Sequence, residues 1–172
     1  MERTPETISL IAREYSEQVI AIEPDYACID KIEKQIRKNN LENIFAVILD
    51  ITKPSPALGL MNKETENITK RLKSEMVFGL ALTHHLYITN KLSFLQIAEM
   101  FSELSSEHAI IEFIKKGDSK VILLTQNLKL NTDLYNEESF LNAFENFFYI
   151  KNRKKMKDSE RILYLLKRKN EV

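Results

Sequence analysis

Short apolar runs alternate with amphipathic segments along this chain, and their order constrains the fold more than any other feature. Val19–Ile22, Phe45–Leu49, Met76–Leu82 and Ala109–Ile114 are largely apolar runs of strand length, which is typical of strands buried on both faces. The stretches between them carry apolar residues at helical spacing. This alternation predicts a doubly wound, mostly parallel α/β sheet with helices on both faces and right-handed crossovers.

The predicted helices begin and end at residues that favour helix termini. The first starts at Thr4-Pro5 and ends near Gln18, and the second covers Tyr26–Asn40, with Asp25 as its N-cap. Ser93 caps a helix with an apolar face. The remaining predicted helices are a polar one over about Asn62–Lys73, one after Gly117-Asp118-Ser119 that carries Val121, Leu123, Leu124 and Leu128, and a shorter one over Glu137–Phe144.

The end of the chain has the pattern of two antiparallel strands. Phe147–Ile150 and Ile162–Leu166 are apolar, and the polar segment Lys151–Glu160 separates them.

Composition narrows the class of protein. With 172 residues, 44% hydrophobic and 29% charged, we expect one soluble domain over 1–172. There is no apolar run of membrane-spanning length, so no membrane partner is expected. Cys28 alone cannot form an internal disulfide, and together with three histidines it gives no zinc spacing. These features predict a cytoplasmic protein.

Glycine is scarce, which limits the nucleotide sites that the chain can build. Gly59, Gly79 and Gly117 are the only three glycines, and they lie too far apart to share a phosphate-binding loop. Neither a GxGxxG turn nor a Walker loop is present.

Acidic residues follow the first two predicted strands. Glu23 and Asp50 lie at the same sheet edge if those strands are parallel neighbours, and ligands bind at that edge in such folds. Carboxylates there can bind ribose hydroxyls or an exocyclic amine. The alternative role is capping a helix; we favour capping for Asp25 and ligand binding for Glu23. Ala81–His85 and Glu112–Lys116 are the other residues at strand ends.

Three histidines and the cysteine are the remaining candidates for chemistry. His84 and His85 follow a buried strand, where an imidazole could take a substrate proton. A packing role fits them equally well, because no nucleophile arrangement accompanies them. His108 lies in a predicted polar turn as a surface residue, and Cys28 is predicted to be a small core residue.

The basic residues are concentrated at one end. Residues 151–172 contain nine basic and three acidic side chains, whereas residues 1–150 contain 16 and 22. The segment Lys151–Lys157, beside Phe147, Phe148 and Tyr149, could contact a nucleic-acid backbone. A solvated hairpin turn with the aromatic residues alternating into the core is the favoured interpretation, since the net charge is zero.

The order of these segments resembles that of class I S-adenosylmethionine-dependent methyltransferases. Val19–Asp25 resembles that family's second strand, Ala46–Ile51 its third, and Ser74–Leu86 its fourth with a His-His-Leu ending. Ala109–Ile114 resembles the fifth strand. Tyr135–Phe148 and Arg161–Arg168 resemble the last helix and strands.

The resemblance implies S-adenosylmethionine as cofactor and a Rossmann-like fold. It implies that Glu23, with Pro24 beside it, binds the ribose and that Asp50 and Ile51 contact the adenine. By the same resemblance, Leu80 and Ala81 face the methionine part, and His84 or His85 faces a methyl acceptor that the sequence does not identify.

Two departures from the family pattern have consequences. Glu75 stands where the fourth-strand motif usually has aspartate. The family's central first strand and its glycine-rich loop are not found before Thr7–Tyr15, which predicts two half-sheets with exposed inner edges. The second strand could pair directly with the fourth, another copy could fill the gap, or a separate N-terminal polypeptide could complete the fold.

Three functions follow as hypotheses. The first is a methyltransferase, and the second is a non-catalytic methyltransferase-like fragment that needs another chain to complete its cofactor site. The third and weakest is a nucleic-acid-binding module that uses residues 151–157.

Overall fold

The computed structural model describes residues 5–126, 133–157 and 159–170. Contacts divide the chain into two units, one up to Ile68 and one from Thr69 onward. Within the described residues, the six strands form two separate sheets, one in each unit. That residues 1–172 make up a single domain stays a prediction.

The first unit is a βαβ arrangement preceded by a helix. It contains α1 (Pro5–Ala12), β1 (Val19–Glu23), α2 (Tyr26–Asn39) and β2 (Ile44–Ile48). The two strands pair in parallel, with Val19 opposite Ile44 and Glu23 opposite Ile48. A small apolar core joins them to α2 through Ala21, Ile29, Ile32 and Ile44.

Helix α2 has the termini that the sequence predicts. The Asp25 side chain accepts a hydrogen bond from the Ala27 N–H at 2.8 Å, as an N-cap does. Asn40 ends the helix in the left-handed conformation at φ 48°, which asparagine tolerates.

Helix α1 ends at Ala12, several residues before the predicted end near Gln18. Asn43, the residue before β2, explains the early end. Its amide nitrogen donates to the carbonyl oxygens of Arg13 and Ser16 at 3.0 and 3.2 Å, so a side chain from elsewhere in the chain satisfies backbone groups beyond the helix. Thr4, the predicted cap, lies outside the described residues.

The predicted helix over Asn62–Lys73 is wrong. Leu58 bridges to Thr65, and between them lies a short 3-10 turn at Leu60–Asn62. Gly59 has a φ of +89°, and the Glu64 side chain accepts from the Leu60 N–H at 3.0 Å. Helical structure is limited to α3 (Ile68–Arg71), which lies at the division between the units.

The second unit contains a four-stranded sheet. Its strands are β3 (Ser74–Gly79), β4 (Ser105–Ile114), β5 (Phe148–Lys155) and β6 (Arg161–Arg168), in the order β3-β4-β6-β5. β3 and β4 pair in parallel, whereas β6 is antiparallel to both β4 and β5. The parallel first part and the antiparallel C-terminal pair are those predicted.

Three helices accompany this sheet. They are α4 (Phe94–Leu104), α5 (Ser119–Thr125) and α6 (Glu137–Phe144). Ser93 and Gln96 form a reciprocal capping box at the start of α4. The predicted extension of α5 to Leu128 lies outside the described residues.

Aromatic side chains form the core of the second unit. The Phe140 ring packs against four aromatic rings, at centroid distances of 4.3 Å from Phe144, 5.1 Å from Phe113, 5.3 Å from Tyr164 and 5.6 Å from Phe94. Tyr135 is also buried, and its hydroxyl donates to the Ile114 carbonyl oxygen at 2.6 Å. The phenol is therefore satisfied inside the core.

The basic segment is a strand and not the predicted hairpin turn. β5 runs through Lys155, and its residues from Asn152 to Lys155 pair with β6. Its outer part is exposed, as expected for a charged edge strand. Phe148 is buried and Tyr149 exposed, so these aromatic residues alternate as predicted.

Glycine at position 79 is required by close packing. A Cβ built on Gly79 would lie 2.4 Å from Cζ of Phe101 and 2.9 Å from Cδ1 of Ile111, both in the core. One on Gly117 would meet nothing closer than Cγ of Glu160 at 4.0 Å.

We therefore expect Gly79→Ala to lower the free energy of unfolding by about 1–3 kcal/mol through overpacking, as measured by urea denaturation. Gly117→Ala is the matched control, with an expected change within about 0.5 kcal/mol. Equal effects of the two substitutions would contradict the packing argument.

Candidate functional site

Two carboxylates follow neighbouring strands at one edge of the first sheet. Glu23 is the last residue of β1, and its carbonyl oxygen accepts a hydrogen bond from the Leu49 N–H at 3.1 Å. Asp50 lies two residues after the end of β2 at Ile48. The parallel pairing thus places both residues at the carboxyl edge, where ligands bind in this kind of sheet.

Glu23 has unused hydrogen-bonding capacity. Among the described residues, no side chain or backbone group forms a hydrogen bond or ion pair with its carboxylate. Partial burial, and secondarily the charge of Asp25, raise the pKa of Glu23. A carboxylate in this state is stabilised by hydroxyl donors.

Asp50 already performs a structural role. Its Oδ1 accepts from the Thr52 hydroxyl at 2.6 Å and from the Thr52 N–H at 2.9 Å, which forms an Asx turn. These bonds lower the pKa of Asp50, the hydroxyl contributing most. Its Oδ2 is 3.7 Å from Nζ of Lys53 in an exposed ion pair, so this oxygen has acceptor capacity left. Ile51 is partly buried within the turn.

Cys28 is not the core residue that the sequence predicts. It is only partly buried, and its Sγ lies 3.8 Å from Oδ2 of Asp25. Burial, followed by the charges of Asp25 and Glu23, raises the pKa of this thiol. Cys28 is therefore a poor nucleophile at neutral pH.

In the second unit, Leu80 and Ala81 directly follow β3. Ala81 has a φ of +51°, a left-handed conformation that costs a non-glycine residue about 1–2 kcal/mol. Its N–H donates to Oε2 of Glu112 at 2.6 Å. The turn is thus held by a carboxylate on the neighbouring strand β4.

The structure separates the two histidines by exposure. His84 is 2% exposed, whereas His85 is exposed, although their ring centroids lie 4.2 Å apart. His85 begins a π-helical segment, His85–Thr89, of the kind that often occurs at functional sites. Of the two residues, only His85 is exposed.

Both imidazoles are held in the neutral form. Burial, then the His85 ring and the Arg161 guanidinium, lower the pKa of His84 to about 4, although Asp118 opposes the shift. Burial also lowers the pKa of His85. Nδ1 of His84 is the one buried side-chain nitrogen or oxygen among the described residues with no hydrogen-bond partner.

The predicted polar turn around His108 is wrong. His108 lies inside β4, opposite Met76 of β3, and Nδ1 of its partly exposed ring is 3.7 Å from Oε2 of Glu107. No group of three or more metal-ligating side chains occurs in the part of the chain that the structure describes.

Some of the basic side chains of β5 form ion pairs. Arg153 binds Glu137 at 2.7 Å and Lys155 lies 3.9 Å from Glu160. The Lys151 and Lys169 ammonium groups lie 5.7 and 5.1 Å from the ring centroid of the exposed Tyr149. Nucleic-acid binding through 151–157 stays a prediction.

Helices that could cross a membrane are absent from residues 5–126, 133–157 and 159–170: none there is long and apolar enough.

Solved structures share the fold of this chain. PH0226 from Pyrococcus horikoshii OT3 matches with a TM-score of 0.63 and 12% identity over 94% of this chain and 76% of that one. Magnesium protoporphyrin IX methyltransferase (ChlM) from Synechocystis PCC 6803, solved with bound SAH, matches with a TM-score of 0.59 and 12% identity. The match covers 96% of this chain and 70% of that one. The bifunctional kinase-methyltransferase WbdD matches with a TM-score of 0.59 and 13% identity, over 93% of this chain and 31% of that one. No family model and no curated protein sequence matches.

These likenesses identify the fold. The chain has the Rossmann-like fold of class I S-adenosylmethionine-dependent methyltransferases, as the order of its motifs predicts. Activity does not follow from fold.

Glu112 is the residue that sequence reasoning placed at a strand end without a role. Its signal was a charged residue inside the apolar run Ala109–Ile114. Such a residue is buried only with partners, but the identity of those partners is not encoded locally.

The burial of His84 predicts a pH dependence of stability. Its pKa is about 4 when folded and about 6.5 when unfolded. The unfolded chain therefore binds more protons between these values, and stability falls as pH falls through that window. We expect His84→Gln to remove up to about 3 kcal/mol of this loss.

The measurement is urea unfolding of wild type and variant from pH 7 to pH 4. Thr89→Ala, which changes an exposed residue without a titratable group, is the control and should keep the pH slope of the wild type. Parallel slopes for wild type and His84→Gln would show that His84 is not a buried neutral group.

Proposed function

We propose that this chain binds S-adenosylmethionine and acts as a methyltransferase on an acceptor still to be identified. The observation that carries the proposal is the pair of acidic residues at the carboxyl edge of β1 and β2. Within the described residues, no group forms a hydrogen bond or ion pair with the Glu23 carboxylate. A solved protein of the same fold is a methyltransferase with bound SAH.

The first unit suits an adenosine group. The Glu23 carboxylate can accept hydrogen bonds from two ribose hydroxyls, since no donor in the described part of the chain binds it. Pro24 fixes the backbone beside it. Oδ2 of Asp50 can accept from an exocyclic amine, and Ile51 offers apolar contact to a base.

In the second unit, Leu80 and Ala81 are proposed to contact the methionine part of the cofactor. His85 is the better candidate for the acceptor side, because it is exposed and its ring is neutral at pH 7. A neutral imidazole can take the proton that an acceptor loses. The cofactor supplies an electrophilic methyl group, so alignment provides most of the catalysis.

Calorimetric titration with S-adenosylhomocysteine tests the proposal. We expect Glu23→Ala to raise the dissociation constant at least about tenfold, a loss of about 1.4 kcal/mol, because the ribose hydroxyls lose a charged acceptor. The matched control is Glu42→Ala, an exposed glutamate before the opposite end of β2, which should leave binding unchanged. An unchanged dissociation constant for Glu23→Ala would overturn the assignment.

A second candidate function rests on the strand edges. Within the described residues, β1 pairs only with β2, and β3 pairs only with β4. Unpaired edges are templates for another strand. In this alternative the chain is non-catalytic by itself, and a separate polypeptide that carries a strand and a glycine-rich loop completes the cofactor site.

Adding a peptide with an apolar strand followed by a glycine-rich loop tests the alternative. We expect it to confer binding of S-adenosylhomocysteine on a chain that alone binds none, since backbone pairing would fill an open edge. A scrambled peptide of the same composition is the control. Tight binding by the chain alone, monomeric by light scattering, would exclude this alternative.

A further inference from the structure

Glu112 carries a carboxylate into the interior of the second unit. Its side chain is 5% exposed, and its neighbours along β4 include the buried Ile111, Phe113 and Ile114. A buried carboxylate is tolerated only when hydrogen bonds and an opposite charge satisfy it. The hydrogen-bond and ion-pair partners of Glu112 therefore indicate its role.

One partner is the backbone of the turn after β3. Oε2 of Glu112 accepts from the Ala81 N–H at 2.6 Å, a short distance typical of a charge-assisted bond. The Glu112 carbonyl oxygen also accepts from the Thr83 hydroxyl. Two residues of the turn are thus tied to one residue of β4.

The other partner is Arg161 at the start of β6. Its Nη1 lies 3.5 Å from Oε1 of Glu112, and its Nε donates to Oδ2 of Asp118 at 3.2 Å. The Asp118 Oδ1 in turn accepts from the Lys120 N–H as the N-cap of α5. The guanidinium therefore places an opposite charge beside the Glu112 carboxylate.

Ala81 has a backbone conformation that alanine disfavours, and its N–H is bonded to Glu112. Its left-handed φ of +51° is unfavourable for alanine, and residues held in such conformations cluster at ligand sites. The hydrogen bond to Glu112 is the restraint on the Ala81 N–H. It acts on two residues, Leu80 and Ala81, that are proposed to contact the cofactor.

We propose that Glu112 is a positioning residue that fixes the Leu80–Thr83 turn for cofactor binding, with Arg161 as its anchor. Its consequence for binding rests on the proposed function. The competing explanation is that Glu112 only neutralises Arg161, in which case the conformation of Ala81 does not depend on it.

The first test uses the chain without ligand. Nuclear magnetic resonance gives the proton shift and the hydrogen-exchange rate of the Ala81 amide in the wild type, in Glu112→Met and in Glu112→Gln. We expect exchange at least about tenfold faster in Glu112→Met, which lacks an acceptor. In Glu112→Gln the amide proton should move upfield, because a neutral acceptor forms a weaker bond.

Glu107→Gln is the matched control, since Glu107 is an exposed glutamate of the same strand; it should change neither quantity. Glu112→Gln keeps the test decisive if Glu112→Met does not fold. An Ala81 amide unaffected in Glu112→Gln would overturn the proposal.

The second test separates positioning from charge neutralisation by rescue. We expect Glu112→Gln to weaken binding of S-adenosylhomocysteine at least about fivefold, and Ala81→Gly to restore most of it in the double variant, because glycine adopts positive φ without strain. Absence of rescue would support neutralisation alone.

The two tests fail separately. If the wild type does not bind S-adenosylhomocysteine, the proposed function fails, and the Ala81 amide still decides whether Glu112 positions the turn. If the amide responds but affinity does not, Glu112 shapes the turn without contributing to binding.

Discussion

A buried charge has to be satisfied within the protein, and in the second unit the charge of Glu112 organises the surrounding elements. The carboxylate accepts hydrogen bonds from the Ala81 N–H, in the turn after β3, and from the Arg161 guanidinium of β6. Arg161 reaches Asp118, which caps α5. This one carboxylate thereby connects the turn after β3 with β4, β6 and the start of a helix. Removing it would leave the Ala81 N–H without its acceptor and Arg161 with Asp118 alone.

The sequence predicts most of the regular structure because burial leaves a local signature. Four apolar runs become strands, and Asp25 and Ser93 act as the caps that their residue types favour. The predictions fail where a residue distant in sequence determines the local structure. Asn43 ends α1 by bonding backbone groups 27 and 30 residues away, and the segment Asn152–Lys155 becomes a strand only because β6 pairs with it. Its charged side chains carry no apolar alternation that would indicate a strand.

The candidate site divides in the same way. That Glu23 and Asp50 lie at one sheet edge follows from strand ends and parallel pairing, both readable from sequence. The hydrogen-bond partners and the burial of each side chain cannot be predicted in this way. Asp50 is engaged by Thr52 two residues later, whereas Ala81 depends on a carboxylate 31 residues away. Equally, nothing in the adjacent pair His84-His85 indicates that one ring is buried and the other exposed.

Burial of His84 has a consequence for the proposed chemistry. A histidine with a pKa near 4 carries no charge at neutral pH, so it does not add a cation beside His85 that would further disfavour protonation of that ring. Partial desolvation lowers the pKa of His85, which favours the neutral ring that can accept a proton. A neutral pair also avoids repulsion of a positively charged sulfonium, which a protonated imidazole would oppose. The desolvation that lowers stability at low pH therefore favours the neutral rings that the proposed chemistry requires.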